Sequence, residues 1–168
     1  MNIFVVDLDP TTAAQSLIDA HVNKMIIEGC QMLANCYTME KLKEAPLTAS
    51  GTPRKYSYLH HPCSKWTLLS LENFSWLLNH TRALLEERKF RFDADHFCNN
   101  FIYWCEQSQP NLPKTGLTKF AQAMPDEYKN EDSVTAYRQY YAAAKKTDKN
   151  GKNMFVWTKR QPPIWCIL

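Results

Sequence analysis

The chain lacks three things that would have classified it at once: an apolar run approaching the roughly 18 residues of a membrane span, a CxxC pair, and any lysine or arginine within its first nine residues. The first absence argues against a spanning helix. The last argues against a secretory leader, so the chain reads as one that stays where it is made, in the cytoplasm, or in the host cytoplasm if phage-encoded. Without CxxC or a ladder of short spacings, Cys30, Cys36, Cys63, Cys98, Cys105 and Cys166 read as reduced core thiols. The competing reading is a zinc site completed by His61 or His96, and no metal or cofactor is expected. A net charge of +3 is too small to name a partner by itself. No repeat, low-complexity block or domain boundary appears, so residues 1–168 read as a single domain.

What is present suits a helical protein. The chain has 168 residues, 45% of them hydrophobic and 12% aromatic. That is long enough to bury about two-thirds of its unfolded surface. Residues 3–6 form an apolar run too brief to assign. Asp9 and Pro10 then mark a helix start, and the apolar period predicts one long helix to about Cys36. Residues 46–58 read as a loop carrying Arg54 and Lys55. His61-Pro62 opens a second long helix running to about Lys89, on the period Trp66, Leu69, Asn73, Leu77, His80, Leu84. Shorter helices are predicted over 95–107 and 133–146, with one or two helical turns over 118–124 before Pro125. The tail carries an Asn150-Gly151 turn, a candidate short strand over 155–157 and a Pro162-Pro163 stop. The expected fold is mainly α: a compact helical domain with two long helices, two shorter ones and an irregular aromatic-basic C-terminal tail.

Chemistry concentrates in the first helix. His21, Lys24, Glu28 and Gln31 follow one another at spacings of three, four and three, which places an imidazole, an ammonium, a carboxylate and an amide on one face. Ala14, Leu17, Ile18, Val22, Met25, Ile26, Met32 and Leu33 crowd that stripe. One reading is a solvated face with an ordinary Lys24–Glu28 pair. The other is the lining of a cleft, and unpaired burial of such groups is costly enough that they would need partners there. The second helix offers His61, Asn73 and His80 to the same cleft, although His61 beside Pro62 also suits a simple cap. Residues 118–124, with Lys119 and Gln122, read as a pocket wall or as a packed connector.

Lys145, Lys146, Lys149, Lys152, Lys159 and Arg160 fall within sixteen residues, with Tyr140, Tyr141, Phe155, Trp157 and Trp165 among or beside them. Cations neutralise phosphates and exposed rings stack on unpaired bases, so the mix suits nucleic acid. A plain solvated turn has the same composition. Lys145, Lys146, Trp157, Lys159 and Arg160 are the candidate contacts, joined by Arg54 and Lys55.

Asp19-Ala20-His21-Val22 followed by Glu28, with His61 opening a helix that ends in Leu85-Glu86-Glu87-Arg88-Lys89-Phe90, resembles the phage pyrimidine-dimer DNA glycosylases of the endonuclease V kind. The likeness covers residues 1 to about 92. The chain also looks like small proteins of tailed phages, a similarity without chemical content. The glycosylase resemblance implies a compact helical, metal-free DNA-repair enzyme that kinks duplex DNA and extrudes a nucleotide. An amine would attack the sugar anomeric carbon and expel the base through a Schiff base, and strand cleavage would follow. Glu28 would handle protons and stabilise the cationic intermediate. The family's amine is that of a small residue freed by removal of the initiator methionine. Asn2 is too large for efficient removal, so the amine would belong to Met1, with Lys24 as the substitute.

Two other readings use the same residues. One is an enzyme processing free nucleotides or modified bases, with His21, Lys24, Glu28 and Gln31 as its pocket. The other is a non-enzymatic DNA-binding or host-interacting factor.

Overall fold

The computed structural model describes residues 1–167. The fold is mainly α, and among those residues there is no β-strand, only an isolated antiparallel bridge between Thr147 and Asn153. The helices are α1 Pro10–Ser16, α2 Asp19–Ala34, α3 Met39–Leu42, α4 Pro62–Thr67, α5 Leu71–Phe92, α6 Asn99–Gln107, α7 Ser133–Ala144 and α8 Ile164–Ile167. Among the described residues no helix is long and apolar enough to cross a membrane.

The first predicted long helix is two helices. Asp9 caps α1, accepting from the Thr12 backbone at 2.7 Å, with Pro10 in the first turn, the usual signature of a helix start. Leu17 and Ile18 are nevertheless extended before α2 begins. The carbonyls released by this break are met from far along the chain. Arg91 donates to Gln15 O and Leu17 O, and the Trp157 indole donates to Ser16 O. Local periodicity carries no trace of such partners, because Leu17 and Ile18 are themselves buried apolar residues that fit a helical stripe.

The second long helix is interrupted in the same way. His61 caps α4 and Ser70 caps α5, which runs 22 residues and ends at Asp93 in a left-handed cap. Leu71 N at the start of α5 donates to Pro113 O at 2.8 Å. Other boundaries shift as well: α6 starts at Asn99, one turn later than predicted. Residues 118–124 are not helical, and a single 3-10 turn follows at Asp126–Tyr128. The predicted strand over 155–157 does not form. The short helices α3 and α8 have no counterpart in the sequence reading.

Both α1 and α2 pack on α5, and one core joins Ile3, Val5, Leu33, Trp66, Leu77, Phe101, Tyr137 and Tyr141. Gly29 sets the separation of α2 from α5. A Cβ at that position would lie 2.3 Å from Thr81 Oγ1, and Thr81 is fully buried and bonded to Leu77 O. Gly29→Ala is therefore expected to destabilise by about 1–3 kcal/mol, although alanine is the better helix former. Adding Thr81→Ala, which removes the clashing hydroxyl and methyl, is expected to recover most of that loss. Urea denaturation of the two variants decides it, and a single variant as stable as the parent would contradict the packing.

Candidate functional site

The N-terminal segment is folded back onto α2. The Glu28 carboxylate accepts the backbone N–H of Asn2 at 2.8 Å, and the Met1 amine lies 3.8 Å from the same oxygen, Oε2. Its other oxygen, Oε1, lies 3.6 Å from Lys24 Nζ. Met1 itself is packed in, its thioether accepting from the Ser64 hydroxyl at 3.5 Å and its side chain 3% exposed. Lys24, by contrast, is 65% exposed. Of the two amines near Glu28, only that of Met1 is held by the fold.

Asn2 does the folding back. Its side-chain oxygen accepts from Ile3 N at 2.8 Å and Phe4 N at 3.2 Å, while its amide donates to Ala123 O at 2.8 Å. Bonding of this local kind is a habit of asparagine. It bends the chain so sharply that Phe4 takes a φ of 42°. The sequence presented Asn2 as an obstacle to exposing a small residue. In the structure it is the clamp that aims the Met1 amine at Glu28.

Met1, Asn2, Phe4, Lys24, Glu28 and Lys145 border a polar hollow of about 180 Å³, closed by Met25, Ala123 and Tyr140. Lys145, just past the end of α7, donates to Tyr140 Oη at 2.8 Å. Three amines, those of Met1, Lys24 and Lys145, thus border the hollow with one carboxylate. Tyr140, Asn2 and Phe4 were not singled out as site residues; the first needs the tertiary fold, and Asn2 could have been suspected only from its turn-forming habit.

His61 borders this site from outside. Its Nδ1 accepts from Cys63 N at 3.2 Å as the α4 cap. Burial and then the Met1 amine lower its pKa, while Glu28 and the Met1 backbone act in the opposite sense, as expected of desolvation and like charge against an opposite charge. His61 is thus the cap of α4 and a neighbour of Met1, and it does not line the hollow.

Other candidates lie elsewhere. His21 is not in the hollow. It stacks on Phe4 with centroids 4.8 Å apart, and its Nδ1 lies 2.6 Å from Tyr141 Oη. That oxygen also accepts from Ile18 N, and a tyrosine proton donated to His21 Nδ1 would suit a neutral imidazole. His80 is fully buried, its Nδ1 bonded to Pro10 O and its ring stacked on Trp76. Asn73 is buried too, holding Thr118 N, Thr118 Oγ1 and Trp66 O. Gln122 pins the Asn130 backbone through both ends of its amide, and it does not border the hollow. The expected substrate-binding roles of His80, Asn73 and Gln122 are thus replaced by structural ones, because their polar atoms are consumed within the fold. Gln31 faces a separate hollow one turn along α2, with Arg54 and Lys55.

The tail also differs from expectation. Trp157 is 9% exposed and cannot stack on a base, Arg160 grips Glu87 with two bonds of 2.9 Å, and Lys159 donates to Phe90 O. These residues fasten the tail to the helices. Lys146 is exposed beside Lys145. All six cysteines are free thiols, and among the described residues no group of three or more His, Cys, Asp or Glu is placed to hold a metal.

Burial pushes the pKa values of both His21 and His80 from 6.5 down to about 4, with Lys145 and Lys24 adding to the effect at His21. Between these limits the unfolded chain binds more protons than the folded one, so stability falls as the pH falls through that window. The expected loss is on the order of 3 kcal/mol per histidine by a pH near the folded values. Urea midpoints measured downward from neutrality would show it; a flat profile across the window would mean that the two rings are charged in the folded state.

The chain matches no protein-family model, and no curated protein or solved structure is similar enough to it to count as a match.

Proposed function

We propose that the protein is a DNA N-glycosylase with abasic-site lyase activity, using the Met1 amine as nucleophile and Glu28 as its acid-base partner. The observation that carries this reading is the Met1 amine held 3.8 Å from a carboxylate that is 12% exposed, at the edge of a cation-rich hollow. The unprotonated amine attacks the sugar anomeric carbon as the bond to the base breaks. Loss of one proton from the nitrogen then lets its lone pair open the bond to the ring oxygen, which takes a proton, and this leaves an iminium adduct. Glu28 receives and returns protons at the sugar and faces the positive charge of that adduct. Lys24 and Lys145 supply charge for the phosphates flanking the extruded nucleotide. DNA is the partner, the chemistry needs no metal or cofactor, and the setting is the cytoplasm.

Borohydride reduction in the presence of abasic DNA tests it. The expected result is a covalent protein–DNA adduct that peptide mass spectrometry places on Met1. An adduct on Lys24 would transfer the nucleophilic role to that side chain, and no adduct at all would remove the lyase reading.

A second reading, an enzyme acting on free nucleotides, is favoured by two observations. The hollow is only about 180 Å³, and Trp157, Lys159 and Arg160 are taken up within the fold. The two readings separate on salt: a polymer substrate bound through several phosphates loses affinity steeply as salt rises, and a mononucleotide does not.

A further inference from the structure

One turn beyond Glu28, α2 borders a second concavity. Cys30, Gln31, Thr48 and Arg54 line two adjoining hollows of about 160 and 280 Å³ between α2 and the loop of residues 46–58. Lys55, Thr52 and Ser57 complete the smaller one, and no carboxylate borders either. Arg54 is 9% exposed. Its Nε donates to Pro46 O at 3.0 Å, and its guanidinium lies 3.7 Å over the Phe101 ring, yet its Nη2 is buried with no hydrogen-bond partner. A guanidinium removed from water with a donor unused is costly unless an anion completes it. Hydroxyl groups gather beside it: Thr48 Oγ1 lies 3.0 Å from Ser50 Oγ and 2.7 Å from Thr52 Oγ1.

The geometry points to an oxyanion site: the smaller hollow takes a tetrahedral phosphate group. Arg54 and Lys55 supply the charge, and Gln31 and the Thr48 and Thr52 hydroxyls supply orienting donors. Arg54 lines both hollows, and a turn of its guanidinium that brings the buried Nη2 to the hollow lets a phosphate oxygen complete that donor. The local field has the right sign. A hydrogen bond from Cys30, then the charge of Arg54 and a bond from its side chain, hold the Cys98 thiol below its ordinary range, against the effect of burial.

The phosphate has two sources, a free phosphate compound or the backbone of a strand. Gln31 lies about 4.5 Å from Glu28 along the helix axis, so a strand seated in the first hollow would pass the second. That extension rests on the function proposed above; the phosphate site itself does not.

Titration of inorganic phosphate into the full chain, followed by amide NMR shifts at Gln31, Thr52 and Lys55, tests the site against chloride at equal ionic strength. Saturable shifts specific to phosphate are expected, with affinity about tenfold weaker in Lys55→Ala and weaker again in Arg54→Gln. Should Arg54→Gln fail to fold, the exposed Lys55→Ala and Thr52→Val carry the decision. Shifts that do not saturate, or that survive these substitutions unchanged, overturn the site. A single-stranded oligonucleotide that displaces the phosphate identifies a strand as the source; failure to displace it overturns the extension and leaves free phosphate. Phosphate binding is expected to persist in Glu28→Gln, so this inference and the glycosylase reading fail separately.

Discussion

Glu28→Gln is expected to lower turnover on abasic DNA by about 10²- to 10⁴-fold, the usual contribution of a positioned acid-base group, while leaving the fold intact. Glutamine keeps an oxygen that can accept the Asn2 N–H, so the bend at the N-terminus survives. It cannot take a proton or carry the negative charge that faces the Met1 amine. The measurement is strand cleavage under single-turnover conditions, with circular dichroism and a urea midpoint as controls for folding. Cleavage at the parental rate by a folded Glu28→Gln chain would dissociate the carboxylate from the chemistry.

The largest expected effect on stability belongs to Arg91. Its side chain is fully buried and spends its donors on Glu87 at 2.7 Å, Asp19 at 2.9 Å and the carbonyls of Gln15 and Leu17. Asp19 is further held by Thr158 through its N–H and hydroxyl, and Glu87 by Arg160. Burial raises the Glu87 pKa, but bonds from Arg160 and Arg91 outweigh it and keep the carboxylate below its ordinary range. Arg91→Met leaves two carboxylates short of a partner and two carbonyls unmet. The expected cost is about 3–5 kcal/mol, as when one member of a buried ion network is removed. That is a large share of a domain's total stability, so the variant is expected to be largely unfolded at physiological temperature. A urea midpoint close to that of the parent would show that the network contributes nothing net.

The helices that carry the site were legible because their signals are local. Pro10 after Asp9, Pro62 after His61, and the period from Trp66 to Leu84 are patterns within one turn or a few, and they predicted a mainly α fold. Glu28 and Lys24 were legible too, since four residues on a helix is a fixed geometry. The interruptions at Leu17–Ile18 and Leu68–Leu69 were not, because what stabilises them is Arg91, Trp157 and Pro113, residues remote in sequence. His21 shows the limit of helical spacing: three residues from Lys24 and seven from Glu28, it is turned away from the hollow and stacked on the Phe4 ring. The basic-aromatic tail misled for a related reason. Its composition suits a nucleic-acid surface, but Trp157 and Arg160 find their partners in Ser16 and Glu87, and composition cannot tell a partner in the fold from one outside it.

The knot of charge around Arg91 has a consequence for how the molecule is made. It gathers Asp19 from α2, Glu87 and Arg91 from α5, and Thr158 and Arg160 from the tail. During synthesis, α1, α2 and α5 emerge from the ribosome with the Glu87 carboxylate still lacking Arg160, and with the Ser16 carbonyl still waiting for the Trp157 indole. The helical body is therefore expected to be less stable while residues 157–160 are not yet available to it. Chains truncated before residue 157 are expected to be more open to proteases than the full chain.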